Sequence, residues 1–376
     1  MSGKNISFAR IILLVCNLVV VLALLMAYLS NYLNPKVYFL VALSGLFYPY
    51  ILLTNLFFIV LWLFRGWKYS LLSLIAVLAG FNSLGRLYQF HENPPPSDTT
   101  ELVKVLSYNV QILGLYGETE NKEKILQFLK EKDPDIVCLQ EYCQSAGLKK
   151  DFVNASQFKE ALGSSNYYLY TPLSRKDYVF GMAIFVKYPI INQGTISFND
   201  AKTNHAMYVD IKINADTVRV YNVHFQSIHF GAEDYLFALQ ATANPDLENG
   251  KWKENGVRIL RKIKTGFSKR SQQVDTIVEH IKLSPYKTIV CGDFNDTPWS
   301  YTYKQIRNLL DDAFVESGKG FGYSMIINRL LSFRIDYIFH DKSFQSYGFK
   351  TADVHASDHF PVYTYLDVNK KINDKK

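Results

Sequence analysis

Acidic residues are missing from the first ninety positions: residues 1–90 contain no Asp or Glu, and their only basic side chains are Lys4, Arg10, Lys36, Arg65, Lys68 and Arg86. A wholly soluble chain is excluded, because a water-facing surface of that length needs charge. Cysteine is scarce, with four in 376 residues at positions 16, 138, 143 and 291. That excludes a disulfide-built scaffold, and no spacing among them suggests zinc. Internal repeats and low-complexity tracts are absent, so neither a solenoid nor a disordered chain is indicated. Charge of one sign is also lacking after the first hundred residues, where 35 basic side chains face 32 acidic ones. Most of the formal +7 therefore sits near the N-terminus, and the pI of about 8.9 is no argument for nucleic-acid binding.

What the N-terminal third does have is long apolar runs. Twenty-five uncharged residues separate Arg10 from Lys36, more than the ~20 that cross ~30 Å of hydrocarbon. A secretory signal peptide does not fit, since its apolar core is ~7 to 15 residues and ends in small residues at a cleavage site. Residues 37–64 form a second run, expected to span with a kink at Pro49. Residues 69–85 form a third, short span flanked by Trp67, Tyr69, Tyr88 and Phe90 as interfacial anchors. Lys4, Arg10, Arg65 and Lys68 favour the cytoplasmic side, which puts everything after the third span outside; Arg86 points the other way. The expected location is an integral membrane protein of a bacterial inner membrane with its C-terminal domain extracytoplasmic. The expected division is a membrane domain at 1–90, a linker at 91–101 in which Pro94, Pro95 and Pro96 make a stiff spacer, a folded domain at 102–368 and a polar tail at 369–376.

From Leu102 the pattern changes to short β-branched and aromatic runs between helical stretches, the mark of an α/β domain. Strands are expected at 103–109, 135–140, 182–187, 208–214, 218–226, 288–291, 334–339 and 361–366, and helices at 123–132 and 269–283. Residues 227–256 resist assignment. A ~30-residue irregular connection rich in Phe230, Tyr235, Leu236, Phe237, Leu239 and Trp252 reads as a packed extension or a lid that selects substrates.

Polar residues recur where these apolar strands end. The run 135–139 ends in Gln140-Glu141, and 288–291 ends in Gly292-Asp293-Phe294-Asn295-Asp296. Alternate residues of an extended chain face the same way, so Asp293 and Asn295 present two hard oxygens together. Asp336 interrupts an apolar strand and demands a partner. Asp358 and His359 stand side by side before the last strand.

In order, LSYNVQ, CLQEY, YNVHFQ, CGDFND, RIDYIF and SDHFPV resemble the signature series of the endonuclease/exonuclease/phosphatase superfamily. That superfamily includes deoxyribonuclease I, abasic-site endonucleases, inositol polyphosphate 5-phosphatases and neutral sphingomyelinases. The resemblance covers residues 103–367 and not the membrane spans. It implies a four-layer α/β sandwich, two central sheets with helices outside, and a Mg²⁺ or Mn²⁺ site at one edge. It implies that Asn109, Glu141 and Asp358 hold the metal and that Asp293 deprotonates the attacking water with Asn295 beside it. His359, kept charged and oriented by Asp336, and His224, supported by Asn222, would lie against the phosphate. Arg270 and Gln273 resemble a recurrent Arg-x-x-Gln, and Gly181 a glycine that lets backbone approach the site; Met182 stands where relatives often carry Asn. The remaining histidines are expected to be structural, and Cys138 and Cys291 buried and inert.

The expected function is a membrane-anchored, divalent-metal-dependent phosphodiesterase or nuclease. Its partners would be a phosphate-ester substrate and the lipid bilayer, with no obligate protein partner. A catalytically inactive membrane-tethered scaffold on the same fold is the alternative, and the intact acid, amide and histidine positions speak against it.

Overall fold

The computed structural model describes residues 8–98, 101–114, 120–146, 154–164, 166–175, 177–198, 204–228, 249–326 and 332–369. The chain opens with α1 (Phe8–Leu29), α2 (Phe39–Leu46), α3 (Tyr48–Arg65), α4 (Ser70–Ala79) and α5 (Phe81–Leu87). There follow β1 (Val103–Asn109), α6 (Glu120–Lys132), β2 (Ile136–Ser145), α7 (Ala155–Ala161), β3 (Asn166–Arg175), β4 (Tyr178–Val186), β5 (Ile190–Ser197), β6 (His205–Ile213) and β7 (Asp216–His224). The remainder comprises α8 (Asn249–Lys282), β8 (Lys287–Asp293), α9 (Tyr301–Leu309), β9 (Asp311–Asp312), α10 (Ala313–Ser317), β10 (Met325–Ile326), β11 (Ser332–Phe333), β12 (Asp336–His340), β13 (Gln345–Thr351) and β14 (Val362–Asp367).

Two six-stranded sheets form the centre, in the orders β13-β14-β1-β2-β4-β3 and β5-β6-β7-β8-β12-β9. Side-chain alternation sorts each strand between two faces. Val105, Cys138, Ile184, Val209, Val220 and Ile289 meet between the sheets. On the other face of the first sheet, Leu106, Leu139 and Phe185 pack against Ile125 and Leu129 of α6 and Phe158 of α7. On the other face of the second, Tyr221, Val223 and Val290 pack against Val274 and Ile277 of α8 and Ile306 of α9. These are the four expected layers. Helix α8 begins at Asn249, twenty residues before the expected start, so the end of the unassigned segment is helical; residues 229–248 of that segment lie outside the described residues.

In the N-terminal unit α1 and α3 are long and apolar enough to cross a membrane, and the pair ending in α4 and α5, bent by 66°, makes a third span if counted as one. The single run expected at 37–64 is divided at Phe47. Pro49 lies in the first turn of α3, where its missing N–H costs no hydrogen bond, so it starts a helix instead of kinking one. Polar side chains cross-link the helices: Asn17 donates to Ser73 Oγ at 2.6 Å and accepts from Trp62 Nε1 at 2.9 Å.

The expected spacer does not hold the two units apart. Gln89 pairs with Gly320, and Asn93 exchanges hydrogen bonds with the backbone of Ser346 and Gly348, so the linker runs along β13. The loop after β8 is seated directly on the helices. Trp299 is 3 % exposed and stacks on Tyr48 with ring centroids 4.1 Å apart; Ser30 Oγ donates to its carbonyl. Only glycine fits at position 45, where a β-carbon would collide with Ser30 and that same carbonyl. Arg86 donates to Asn31 Oδ1 at 2.8 Å and to the Pro298 carbonyl at 3.2 Å, which explains a basic residue at the end of the bundle where charge bias did not ask for one. Trp299→Ala should cost about 3 kcal/mol, the scale for deleting a buried aromatic. A thermal melt of the detergent-solubilised chain would show it, and Trp299→Phe should recover most of the loss.

Candidate active site

The inward-facing column of each central strand changes character toward one end. Going along β1 it runs Val105, Ser107, Asn109; along β2, Ile136, Cys138, Gln140; along β7, Val220, Asn222, His224; along β8, Ile289, Cys291, Asp293. Aliphatic residues give way to Ser107, Cys138, Asn222 and Cys291, and then to the polar set Asn109, Gln140, His224 and Asp293. Strand β12 runs antiparallel to β8, so its first residue, Asp336, arrives at the same end. The register aligns His224 with Asp293 and Asp293 with Asp336 in a single row of the second sheet. Facing them, Asn109 pairs with Gln140 in the first sheet.

Glu141 reaches this row through a β-bulge. Leu139 pairs with Ala183 and Tyr142 with Gly181, so Gln140 and Glu141 together oppose Met182. Glu141 takes φ +50°, a left-handed conformation that costs strain and is concentrated at functional sites. The bulge turns Gln140 inward and leaves Glu141 half-exposed at the mouth. Gly181 is required for another close approach: β3 bulges opposite it, and a β-carbon there would strike the Tyr170 carbonyl.

Asn109 bridges the two sheets. Its Nδ2 donates to Glu141 Oε1 at 3.2 Å and to Asp293 Oδ2 at 3.0 Å, while its oxygen accepts from Gln111 N–H. Asn295, at φ +51°, donates its backbone N–H to Asp293 Oδ1 at 2.8 Å and its side-chain amide to Oδ2 at 3.0 Å. His224 Nε2 stands 3.7 Å from both Glu141 Oε1 and Asp293 Oδ2, and His359 Nε2 stands 3.8 Å from Asp293 Oδ2. His359 Nδ1 meets Asp336 Oδ2 at 2.8 Å. Asp358 is exposed at the rim, its backbone N–H bonded to Gln111.

Burial alone would lower the pKa of His359, but Asp336 and then Asp293 outweigh it and push the imidazole up to about 10. Burial, opposed by His359 and His224 and reinforced by Asp336, holds Asp293 up at about 6. A carboxylate near 6 is matched to proton transfer at neutral pH. Asp293, Asp336 and His359 also lie close enough to hold an ion together. The protonated imidazole is a poor ligand, however, because both its nitrogens act as donors. The hard oxygens at the mouth, with no thiolate among them, are the donor set that suits Mg²⁺ or Mn²⁺.

The hydrogen bonds of Asn222 run to the facing sheet and not to the His224 it was expected to support. Its amide donates to the Leu139 and Ala183 carbonyls and accepts from Gln140 Nε2 at 2.7 Å, fastening the sheets together one layer beneath the charged row. Arg270 and Gln273 act on backbone and loop: Arg270 holds the Gln226 carbonyl at 2.8 Å and Asp296 at 3.2 Å, and Gln273 accepts from Gln226 N–H. Three supporting residues were not anticipated. Gln140 and Ser357 lie inside the motifs, and Ser357 Oγ ties the Asn109 carbonyl to the His359 backbone. Ser324 accepts from the Ile335 and Asp336 N–H groups and had no sequence signal. His280 and His340 are held elsewhere, by Tyr221 and Glu316, and Cys138 and Cys291 are buried between the sheets.

The sequence model of the Endonuclease/Exonuclease/phosphatase family matches residues 106–359, and that of a domain of unknown function matches residues 10–87. No curated protein matches the chain. Among solved structures, the endonuclease/exonuclease/phosphatase from Bacteroides vulgatus superposes with a TM-score of 0.50 at 18 % identity, over 70 % of this chain and 98 % of its own. The endonuclease/exonuclease/phosphatase from Beutenbergia cavernae gives 0.50 at 15 % identity, over 70 % and 71 %. At such identities the likeness shows the fold.

Proposed function

The chain belongs to the endonuclease/exonuclease/phosphatase family, and from that premise we propose that it is a membrane-anchored, divalent-metal-dependent phosphoric ester hydrolase of phosphodiesterase or nuclease type. The observation that carries this reading is the row of His224, Asp293 and Asp336 in one register, faced by Asn109 and Glu141 and closed by His359.

Glu141, Asn109 and Asp358 would hold Mg²⁺ or Mn²⁺, with the amide of Asn109 turned to offer its oxygen. When bound, the ion supplies stabilisation of negative charge on the phosphoryl oxygens. Asp293, with a pKa near neutrality, takes the proton of the attacking water. Asn295 fixes the direction of that carboxylate through its backbone N–H and its side-chain amide. His359, protonated on both nitrogens, donates Nδ1–H to Asp336 and presents Nε2–H to a phosphate oxygen; His224 lines the other side. Asp336 is a positioning residue, since it acts through the imidazole.

Turnover with Mg²⁺ or Mn²⁺ against bis-p-nitrophenyl phosphate, single- and double-stranded DNA, RNA and phospholipids tests the reading. Hydrolysis of none of them would overturn it. The expected setting is a bacterial inner membrane with the catalytic domain outside the cytoplasm. In support, Arg10 and Arg65 line one crevice, whereas Ser30 and Tyr48, at the opposite ends of α1 and α3, meet the catalytic domain. A reporter fused after Lys376 should therefore be active only outside the cytoplasm. Cytoplasmic activity would reverse the orientation and leave the chemistry standing.

A further inference from the structure

Two of the strands that carry the charged row run into the N-terminal helices within a few residues, and a third reaches them through α8. Asp293 ends β8, and the loop after it delivers Trp299 to Tyr48 and Ser30. Asp336 opens β12, and two residues before it Arg334 donates to the Arg86 carbonyl at 3.4 Å. His224 ends β7, and the Gln226 carbonyl beyond it is held by Arg270 of α8; on the same helix Phe267 meets Phe39 of α2, ring centroids 6.2 Å apart. The end of the sandwich that holds the chemistry is thus the end that sits on the membrane unit.

These contacts fall at one level of the bundle. Ser30 follows the end of α1, Tyr48 opens α3 and Arg86 lies in the last turn of α5. A 22-residue helix such as α1 is about 33 Å long, so if it crosses ~30 Å of hydrocarbon its end lies among the headgroups. Tyr32, Val37, Tyr38 and Leu40 are exposed there, each at least half so. On the catalytic domain α8 adds exposed Val257 and Leu260 beside exposed Arg261 and Lys264. Aromatic and aliphatic side chains interleaved with basic ones suit an anionic bilayer surface.

We infer that the phosphate ester hydrolysed here belongs to an amphiphile resident in the bilayer, presented to the row of catalytic residues from the membrane side while its tail stays in the lipid. The inference rests on the hydrolase reading above. In the reaction the oxygen of water bonds to phosphorus as the ester P–O bond breaks, and the proton that Asp293 takes from the water is returned to the leaving oxygen.

The test uses the full chain in proteoliposomes with two esters that share a leaving group, hexadecyl p-nitrophenyl phosphate and methyl p-nitrophenyl phosphate. The long-chain ester in the same bilayer should have a kcat/KM higher by about 100-fold, the scale of a surface-confined encounter. The same ester in separate vesicles, without enzyme, should stay intact. A ratio below about tenfold, or equal hydrolysis in separate vesicles, overturns the inference and leaves the hydrolase reading in place. Failure to hydrolyse either ester overturns the inference, and the hydrolase reading falls with it only if bis-p-nitrophenyl phosphate and the nucleic acids also stay intact.

Discussion

Asp336→Asn should lower kcat by about 10³- to 10⁴-fold while leaving the fold intact, on the scale known for acid-imidazole pairs whose acid becomes an amide. The carboxylate is buried, and it is the largest of the influences that raise the His359 pKa. An amide neither stabilises an imidazolium nor fixes which nitrogen carries the proton. His359→Ala should be as damaging and the double variant little worse, because the two side chains act as a unit; additive losses would separate them. The pair also leaves a signature apart from turnover. In the wild-type protein the imidazole should remain protonated at pH 8 by NMR titration, and in Asp336→Asn its midpoint should fall. The sign for stability follows from the direction of the shift. A folded-state pKa of about 10, above the ordinary value near 6.5, means that the pair stabilises the fold fully below about pH 6.5 and loses that contribution as pH rises through 10. The Asp336→Asn protein should lack that alkaline decline. A His359 midpoint unmoved by the substitution would mean that Asp336 does not act through the imidazole.

Removal of divalent cations should abolish hydrolysis of bis-p-nitrophenyl phosphate, and Mg²⁺ or Mn²⁺ should restore it. Glu141→Gln should reproduce the loss by at least about 10²-fold even with excess cation, the scale for removing charge stabilisation from such a site. The expectation comes from how Glu141 is delivered. A bulge and a left-handed backbone are spent on placing one carboxylate, half-exposed, opposite Asp293. Strain of that kind persists where surrounding structure holds it for a use. Asp293 and Asp336 already crowd negative charge into a buried space, so a cation at the mouth relieves them. It should raise the melting temperature more at pH 8 than at pH 5, where Asp293 takes up a proton. Full activity in excess chelator would remove the metal from the mechanism.

The central strands and the charged row were legible in the sequence because each central strand is a hydrophobic run that ends in a short polar motif. Of the strands that were not anticipated, β10 and β11 form a separate two-stranded ribbon, and β3, β13, β5 and β9 are the four edges of the six-stranded sheets. Edge strands carry Pro, Gly and polar residues that prevent pairing with other chains, which also erases their signal. Pro172 lies in β3, Gly194 in β5 and Gly348 in β13. The early start of α8 was hidden by Asn255 and Gly256, which are weak helix formers. Pro49 was misread because a proline within an apolar run looks the same whether it bends one helix or begins another. Contacts between the two units were illegible for a different reason: nothing in the sequence around Trp299 says that its partner is Tyr48.

Those contacts also fix an order of events during biogenesis. Ser30 and Trp299 are 269 positions apart, Arg86 and Pro298 are 212, and Arg86 and Arg334 are 248. Pairings so distant form late, after the local structure on either side. The helices leave the ribosome before the loop that must rest on them has been synthesised. The segment that carries Asp293 is therefore finished against a surface laid down earlier by its own N-terminus. A chain whose catalytic-type domain folds before its helices are in place would hold His224, Asp293 and His359 and lack the floor beneath them.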